Sequence, residues 1–395
     1  MNLKFLILDT DYLEFIGWLY AQHPGLEKQP YDEQMRVRNE SLFGVADFYS
    51  SNLRKLGHDA CDIHANNEFM QKAWAAEHGI SLKEPILVEQ RVRTALQSIR
   101  GVAAKTPLRN LLPFLRLILR KPDSKPTWFR EILVAQIRHY KPDVLLNMAM
   151  DAIGGRFLRQ VKPHVRMLAG QIAAPLPERE NWDVYDLVLS SLPNFVEHFR
   201  SLGVPCELNR LAFEPKVLSR LKSPSRDIPI SFVGNISGAH QERVRLLEHL
   251  CASLEIKVWG TGIDVLRQDS PIRSCYMGQS WGADMYHILH NSRVTLNHHI
   301  DIAGPYANNL RLFEATGVGT MLITDWKINL HEMFEPGIEV VAYRTPQECV
   351  RLARYYLEHE DEREAIARAG QQRTLREHTY HHRMRELVEI VGRYL

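Results

Sequence analysis

Short apolar runs alternate with amphipathic stretches along the first half of the chain. Residues 3–8 form an apolar run of the length of a buried strand, and residues 59–64 alternate as a second strand. Helices are predicted at about 42–56, ended by Gly57, and at 66–78, capped by Asn66 or Asn67 and ended by Gly79. The chain is therefore predicted to open as strand, helix, strand, helix.

The same alternation continues to residue 211. Strands are predicted at 144–148, 165–169, 187–190 and 206–211, and helices at 128–140, 151–160 and 194–202. Repeated strand–helix units are typical of an open α/β sheet, which binds ligands at the carboxyl ends of its strands. Asp9 and Asp11 follow the first strand at such an end. They are candidates for a catalytic base, and the alternative is that they only start a loop.

A second strand–helix series follows a polar segment with two prolines at 213–227, which is the best candidate for a domain boundary. Its strands are predicted at 230–233, 256–262, 294–297, 321–324 and 340–343, and its helices at 240–253, 285–292, after 309, 346–359, 361–372 and 379–395. The predicted organisation is an N-terminal domain at 1–220, a C-terminal domain at 221–378 and a terminal helix at 379–395.

Two glycine-containing loops end the first strands of this second series. Gly234 and Asn235 begin one loop, and His240 and Arg243 begin the helix after it. A strand, a glycine loop and a helix bring backbone N–H groups close to a phosphate, and Gly260 at the next strand end leaves room for a base or ribose. Turns before helices are common, so His240 and Arg243 serve equally well as capping or solvated residues.

Another candidate binding region is the start of the helix that follows the Gly304–Pro305 loop. Asn309, Arg311 and Glu314 lie in its first two turns. A helix start favours an anion, the guanidinium of Arg311 fits phosphate, and Glu314 accepts hydrogen bonds from vicinal hydroxyls. These residue types suit a sugar nucleotide. The alternatives are a surface ion pair of Arg311 with Glu314 and a helix cap at Asn309.

Composition changes this picture little. The chain has 395 residues, 45% hydrophobic and 24% charged, which is typical of a soluble globular protein of two domains. A net charge of +2 gives no reason to expect nucleic acid as a partner. The chain has five scattered cysteines without metal or redox spacing, no 18-residue apolar run and no signal-peptide pattern. These features predict a cytoplasmic protein.

Residues 90–122 are basic and contain no acidic residue. Apolar runs separate the arginines and lysines, so the segment has the composition of a stretch that lies on an anionic membrane or binds a phosphorylated acceptor. The alternative is a solvated helix pair packed on the sheet. With the first interpretation the protein is peripheral at the inner membrane face.

The motif Asn-x-Arg-x-x-Glu-Ala-x-Gly-x-Gly at 309–319, followed by a strand and Asp325, resembles the C-terminal donor domain of two-domain GT-B glycosyltransferases. Within that group it most resembles the spore-maturation-protein-like branch, over roughly 228–385. The resemblance implies an α/β fold of two Rossmann-like domains whose parallel sheets face a central cleft. It also implies that the C-terminal helix crosses back to the first domain.

The resemblance further implies a transferase that moves a sugar from a nucleotide-diphosphate-sugar, such as a UDP-sugar, to an acceptor hydroxyl. The acceptor is a glycan, a lipid-linked group or a protein, as in the assembly of cell-surface polysaccharide, and no metal cofactor is expected. Asp9-Thr10-Asp11 comes too early in the chain for the Asp-x-Asp of metal-dependent transferases. The donor residues are then Gly234, Asn235, His240, Arg243, Gly260, Tyr306, Asn309, Arg311 and Glu314, and the catalytic residues Asp9, Asp11 and Arg311.

Many retaining members of this group carry a glutamate where this chain has Tyr306, which is predicted to stack on the donor or hydrogen-bond to it. The sequence does not name the sugar, the base, the acceptor, the stereochemistry or the oligomeric state. A sugar-nucleotide epimerase or hydrolase of the same fold is one alternative function. A non-catalytic nucleotide-sugar-binding or assembly protein is the other.

Overall fold

A computed structural model describes residues 2–82, 127–177, 180–236 and 241–395. The basic segment 90–122 and His240 lie outside these ranges, so what was predicted for them stays a prediction. The described residues belong to two compact units: the first is drawn from Met1–Asp9, Arg36–Ile63 and Pro142–Leu395, the second from Thr10–Met35 and His64–Lys141. No helix in the described ranges is long and apolar enough to cross a membrane.

The helices are numbered in chain order. They are α1 Leu13–Gln22, α2 Tyr31–Glu40, α3 Phe48–Lys55, α4 Glu68–Glu77, α5 Thr127–Tyr140, α6 Gly155–Val161, α7 Pro193–Ser201, α8 Gln241–Cys251, α9 Ile272–Cys275, α10 Gly282–His290, α11 Leu310–Gly317, α12 Pro346–Glu358, α13 Glu360–Glu377 and α14 Tyr380–Tyr394. Short 3-10 helices lie at Leu26–Lys28, Lys162–His164, Trp182–Val184, Pro215–Arg220, Ile263–Val265, Asp301–Ala303 and Leu330–Glu332. In the second unit, the core contains Tyr31, Met70, Trp74, Ala75 and Ile132.

The first sheet has six strands in the order β2-β1-β3-β4-β5-β6. Their bounds are β1 Lys4–Asp9, β2 Asp59–His64, β3 Val144–Asn147, β4 Met167–Gln171, β5 Leu187–Ser190 and β6 Cys206–Leu208. The strands β1, β3, β4, β5 and β6 pair in parallel, with Phe5 opposite Val144. Every residue of β3, β4 and β5 is buried, as expected for parallel strands covered on both faces.

The second sheet has five parallel strands in the order β11-β10-β9-β7-β8. Their bounds are β7 Ile228–Val233, β8 Ile256–Trp259, β9 Ser292–Leu296, β10 Met321–Asp325 and β11 Val341–Tyr343. The chain leaves β7 for β8 on one side and returns to β9 on the other. The carboxyl ends of β7 and β9 therefore form the switch point at which such sheets bind ligands.

The C-terminal helix returns to the side of the first sheet. The Phe213 N–H donates to the His378 carbonyl at 2.9 Å, and the Tyr380 N–H donates to the Phe213 carbonyl at 3.0 Å. From there α14 packs on α3, with the Tyr380 ring 5.2 Å from that of Phe48 and 5.5 Å from that of Tyr49. The α/β fold with two parallel sheets is confirmed, and the domain boundaries at 220 and 378 stay a prediction.

Three element predictions need correction. No helix was predicted between the first strand and residue 42, where α1 and α2 lie. The helix predicted at 42–56 begins only at Phe48, because Leu42, Gly44 and Ala46 have positive φ angles that a helix excludes. The helix predicted at 151–160 begins at Gly155, after a turn.

Candidate functional site

α11 begins at the carboxyl edge of the second sheet with a side-chain cap. Asn309 Oδ1 accepts the Leu312 N–H at 3.2 Å, and Asn309 Nδ2 donates to Asn297 Oδ1 at 2.7 Å. Asn297 directly follows β9, so the amide pair ties the helix start to the end of that strand. The capping role predicted for Asn309 is confirmed, and its contact with a phosphate stays a prediction.

Arg311 and Glu314 form an ion pair of 2.8 Å across one turn of α11. The pair is not on the surface, since its side chains are only 13% and 7% exposed. Arg311 Nε also donates to the Val233 carbonyl at the end of β7 at 3.2 Å, and both of its Nη atoms lie about 3 Å from Met285 Sδ. The guanidinium therefore points to the switch point between β7 and β9.

Glu314 lies deep beside this guanidinium. Burial raises the pKa of Glu314, while the positive charge of Arg311 opposes that rise. The Tyr286 hydroxyl donates to Glu314 Oε1 at 3.5 Å. In this structure Glu314 orients Arg311, and its contact with a pentose stays a prediction.

Arg243 on α8 reaches the same edge from the other side. It donates to the Asn235 carbonyl at 3.0 Å and to the His298 carbonyl at 2.8 Å, and so connects the loops after β7 and β9. It is 7% exposed and lies over the Phe232 ring. Burial lowers its pKa to about 10, which still leaves it charged at neutral pH. Among the described residues, Arg243 forms no ion pair with a carboxylate.

Glycine is required where the loops after β7 and β8 meet. A Cβ atom on Gly260, whose φ is +148°, would lie 1.8 Å from the Gly234 carbonyl oxygen. The Gly234 N–H donates to the Trp259 carbonyl at 3.0 Å and holds the two loops together. The backbone of Gly234 therefore lies too close to Gly260 for any side chain there. That Gly260 leaves room for the base of a nucleotide stays a prediction.

A buried polar cluster at the ends of β9, β10 and β11 was not among the predicted site residues. His299 Nδ1 lies 2.6 Å from Asp325 Oδ1, and His298 Nδ1 lies 2.9 Å from the Tyr343 hydroxyl. Lys327 Nζ is 3.2 Å from Asp325 Oδ2. The available signal was the pair of histidines at a strand end and the Asp-x-Lys sequence after β10, neither of which indicates a contact by itself.

Other predicted residues are placed less specifically. Tyr306 is half-buried and its N–H donates to the Ala303 carbonyl, while the side chain of Asn235 is exposed. Asp9 ends β1 in the first unit and is half-buried. Nothing described brings these residues into a catalytic geometry.

Asp11 belongs to the second unit and is held firmly there. Its N–H donates to Asn66 Oδ1 at 2.8 Å, and its carbonyl accepts from Asn66 Nδ2 at 2.6 Å. Its carboxylate lies 3.4 Å from His64 Nδ1, with both side chains almost fully buried. His64 therefore lies next to Asp11, the predicted base. His64 was not among the predicted site residues.

Two arginines reach the edge formed by β7 and β9. Arg243 and Arg311 both contact the loops after these strands or the strand ends, and Glu314 pairs with Arg311. The carboxylates of Asp325 and Asp301 act on Arg243 from a greater distance. Buried guanidinium groups that end on carbonyl oxygens favour a multivalent anion such as a diphosphate. Within the described ranges, no group of three or more His, Cys, Asp or Glu residues has the arrangement of a metal site.

Part of the chain matches a known protein family. Residues 241–389 match the family described as Glycosyl transferase-like. No curated protein matches the sequence. The matched segment contains α8, α11 and the polar cluster, so the family match covers most of the candidate site.

Several solved structures share the fold at low sequence identity. A structure of Anabaena Alr3699/HepE in complex with UDP and glucose is 12% identical, with a TM-score of 0.58 over 99% of this chain and 100% of that one. A glycosyltransferase from Rickettsia africae ESF-5 is 11% identical, with a TM-score of 0.55 over 100% and 98%. AviGT4, a glycosyltransferase involved in avilamycin A biosynthesis, is 12% identical, with a TM-score of 0.53 over 98% and 96%.

These structures show that the chain has the GT-B fold. The fold and the family match together support a glycosyltransferase. The predicted fold class and reaction class are thereby confirmed.

Proposed function

We propose that the diphosphate of the donor binds at the carboxyl ends of β7 and β9, between Arg243 and Arg311. The observation that carries this proposal is the convergence of the buried Arg243 and the half-buried Arg311 on one sheet edge, where only Arg311 is paired with a carboxylate. A diphosphate placed there gains charge-assisted hydrogen bonds that carbonyl oxygens only partly replace. The N-terminus of α11 adds its partial positive charge.

In the proposed reaction, an acceptor hydroxyl attacks the anomeric carbon of the donor sugar. The bond from that carbon to the diphosphate oxygen breaks, and the leaving diphosphate takes the electron pair. Arg311, with Arg243, stabilises the negative charge that develops there, so the proposal needs no metal ion. The hydroxyl proton passes to a base, for which Asp9, the last residue of β1, and Asp11, two residues later, remain the candidates.

The remaining donor contacts belong to the start of α11 and the loop before it. Glu314 is proposed to accept the ribose hydroxyls, supported by its place beside Arg311. Asn309 is proposed to reach the phosphate while it caps the helix, and Tyr306 to contact the sugar. Gly234, Asn235 and Gly260 complete the loops on which the nucleotide lies.

The acceptor is proposed to be a glycan, a lipid-linked group or a protein. UDP is the first nucleotide to test, since the Anabaena structure holds UDP and glucose. We also propose the spore-maturation-protein-like branch and a cytoplasmic location, with membrane contact through 90–122. No described residue bears on these assignments, which come from the sequence.

A binding and turnover assay tests the proposal. The protein is titrated with UDP-glucose, GDP-mannose and dTDP-glucose and then incubated with each for release of nucleoside diphosphate. We expect saturable binding of at least one donor and slow release from it, because glycosyltransferases hydrolyse donors without an acceptor. Tight binding without release over a long incubation would instead favour a sensor or assembly protein.

Two variants connect the assay to the site. Arg311→Gln should lower donor affinity at least tenfold, since one charge-assisted phosphate contact is lost. Arg245→Gln is the matched control, because Arg245 forms an i, i+3 ion pair with Glu242 on the surface of α8. Equal affinities for both variants and the wild type would contradict the placement of the diphosphate.

A further inference from the structure

The loop between β9 and α11 is held by the segment that leaves β10. Three alternate polar residues of that segment bind its backbone: Asp325 Oδ1 accepts the His299 N–H at 3.0 Å, Lys327 Nζ donates to the Gly304 carbonyl at 2.7 Å, and Asn329 Oδ1 accepts the Ala307 N–H at 2.6 Å. Trp326 and Ile328, between them, are 39% and 43% exposed. These three contacts hold the backbone of the loop to the segment after β10.

Asp325 also fixes the imidazole of His299. Its Oδ1 lies 2.6 Å from His299 Nδ1. Burial alone would raise the pKa of Asp325, but His299, His298 and Lys327 hold it well below the usual range. Since an ionised carboxylate only accepts hydrogen bonds, Nδ1 must carry the hydrogen. Nε2 is then the ring nitrogen left for a further hydrogen bond.

That remaining atom has no partner. His299 Nε2 is buried and forms no hydrogen bond with any described residue, and the side chain has no exposed surface. A buried polar atom without a partner is unfavourable and uncommon in folded proteins. The chain keeps such an atom on a loop that it otherwise anchors at each end.

The position of His299 connects this atom to the donor site. The carbonyl of the preceding residue, His298, accepts the hydrogen bond from Arg243 Nη2 at 2.8 Å. The loop ends at Asn309, which caps α11. His299 therefore lies on the loop that joins the two arginines of the candidate diphosphate site.

We propose that His299 is a further donor-contacting residue, whose Nε2 forms a hydrogen bond with a hydroxyl of the transferred sugar, with Asp325 as its positioning residue. This inference rests on the proposed function. A sugar hydroxyl both donates and accepts hydrogen bonds, so it can satisfy Nε2 whether or not that atom carries a hydrogen. Donor binding has to open a path to the imidazole, because it is sealed from solvent in the structure.

The test compares a nucleotide sugar with its nucleotide. Dissociation constants for UDP-glucose and UDP are measured by titration calorimetry on the wild type and on His299→Asn, which keeps an amide N–H near Nδ1 but has no atom at Nε2. We expect UDP-glucose to bind about tenfold more weakly to the variant, and UDP to bind within twofold of the wild type. Asp325→Asn should show the same selectivity with a smaller loss.

Two results would overturn the inference while leaving the proposed function intact. These are unchanged affinity of His299→Asn for both ligands, and an equal loss for both, which would indicate a structural role in the loop. If the wild type bound no nucleotide or nucleotide sugar of the UDP, GDP and dTDP series, the proposed function would fail first and the inference with it.

A measurement on the wild type covers the case in which the variants do not fold. With ¹⁵N-labelled histidine, the His299 Nε2 resonance should shift when UDP-glucose binds and should not shift in the same way when UDP binds. Identical spectra in the two complexes would contradict the proposed contact.

Discussion

At the scale of single residues, Arg311 and Glu314 beside the switch point of the second sheet are the pair on which the proposed donor site depends. Arg311 and Glu314 form a buried pair rather than an exposed one, and that difference changes what a substitution does. An exposed ion pair contributes little to stability, whereas removal of one partner of a buried pair leaves an uncompensated charge. Binding and stability are therefore coupled at Glu314.

Glu314→Gln should weaken nucleotide-sugar binding at least tenfold and lower the melting temperature. The neutral amide keeps the volume of the side chain, but it no longer balances Arg311. Calorimetric titration and thermal unfolding measure the two effects. Glu242→Gln is the control, since Glu242 has the same i, i+3 spacing to Arg245 at the surface, and it should cost under about 0.5 kcal/mol. Similar effects of the two substitutions would show that Glu314 has no special role.

Asp62 on β2 should make stability depend on pH. Burial raises its pKa to about 7, against the hydrogen bond from Ser50. Because the carboxyl pKa is raised in the folded chain, the folded chain holds the proton of Asp62 more tightly than the unfolded chain does. The resulting contribution to the free energy of unfolding is complete below about pH 4 and is lost as pH rises to about 7. The free energy of unfolding of Asp62→Asn minus that of the wild type should therefore increase over this range, by on the order of a few kcal/mol.

Denaturant unfolding at pH 4.5 and pH 7.5 measures that difference. Asp59→Asn on the same strand is the control, because Asp59 is exposed and pairs only loosely with Lys4 at 3.5 Å. Its difference from the wild type gives the baseline against which the change for Asp62→Asn is compared. A flat difference for Asp62→Asn would mean that the carboxyl group is ionised throughout.

At the scale of elements, the loop before α11 and the start of that helix form one hydrogen-bonded unit. Asn309 joins the two, because its Oδ1 caps the helix and its Nδ2 binds the amide of Asn297. The helix start and the end of β9 are therefore held in a fixed arrangement. A preformed arrangement of this kind lowers the cost of ordering the site when a donor binds.

Asn309→Ala should cost about 1–2 kcal/mol of unfolding free energy and also weaken donor binding, because the cap and the amide pair are both lost. Thr345→Ala removes an equivalent cap from α12, where Thr345 Oγ1 accepts the Glu348 N–H at 3.1 Å. It should cost about 1 kcal/mol and leave donor affinity unchanged. Denaturant unfolding and calorimetry separate the two outcomes, and an unchanged donor affinity for Asn309→Ala would exclude the cap from the site.

The sheet strands were more predictable from the sequence than the contacts at their ends. Strand positions follow from runs of buried apolar residues, so β1, β5 and β10 lie within a residue or two of their predicted bounds. The cap at Asn309 was also predictable because it depends on local spacing. The His299–Asp325 pair was not, because the two residues are 26 positions apart and meet only through the pairing of β9 with β10.

The burial of Glu314 was equally beyond the sequence. Its helical spacing from Arg311 predicts the ion pair, but whether that pair is exposed depends on α10, which supplies Tyr286 and Met285 from a separate part of the chain. Long-range packing determines both the His299–Asp325 contact and the burial of Glu314. The helices α1 and α2 were missed because their local sequence pattern is weak. The first is apolar nearly throughout and the second is polar nearly throughout, so neither shows a clear apolar stripe.

At the scale of the whole molecule, the C-terminal helix links structure that is distant in sequence. Tyr380, at the first position of α14, is 2% exposed and packs on the rings of Phe48 and Tyr49, while its N–H binds the carbonyl of Phe213. The helix end that follows α13 is thereby fixed beside α3. The same helix contributes Met384, Leu387 and Val391 to the core.

Tyr380→Ala should lower the free energy of unfolding by about 3–5 kcal/mol, as expected for loss of a buried aromatic ring. Tyr394→Ala, at the far end of the same helix, removes a 39% exposed ring and should cost under about 1 kcal/mol. Urea unfolding followed by circular dichroism gives both values. Equal costs would show that the contact with α3 adds nothing to the stability of the chain.

The central claim is that Arg243 and Arg311 bind the diphosphate of the donor. The most direct measurement is the ratio of the dissociation constants of UMP and UDP, for the wild type and for the double variant Arg243→Gln, Arg311→Gln. Because UMP lacks the second phosphate, we predict a ratio of at least about ten for the wild type and close to one for the double variant. A folded double variant that keeps the wild-type ratio would contradict the claim.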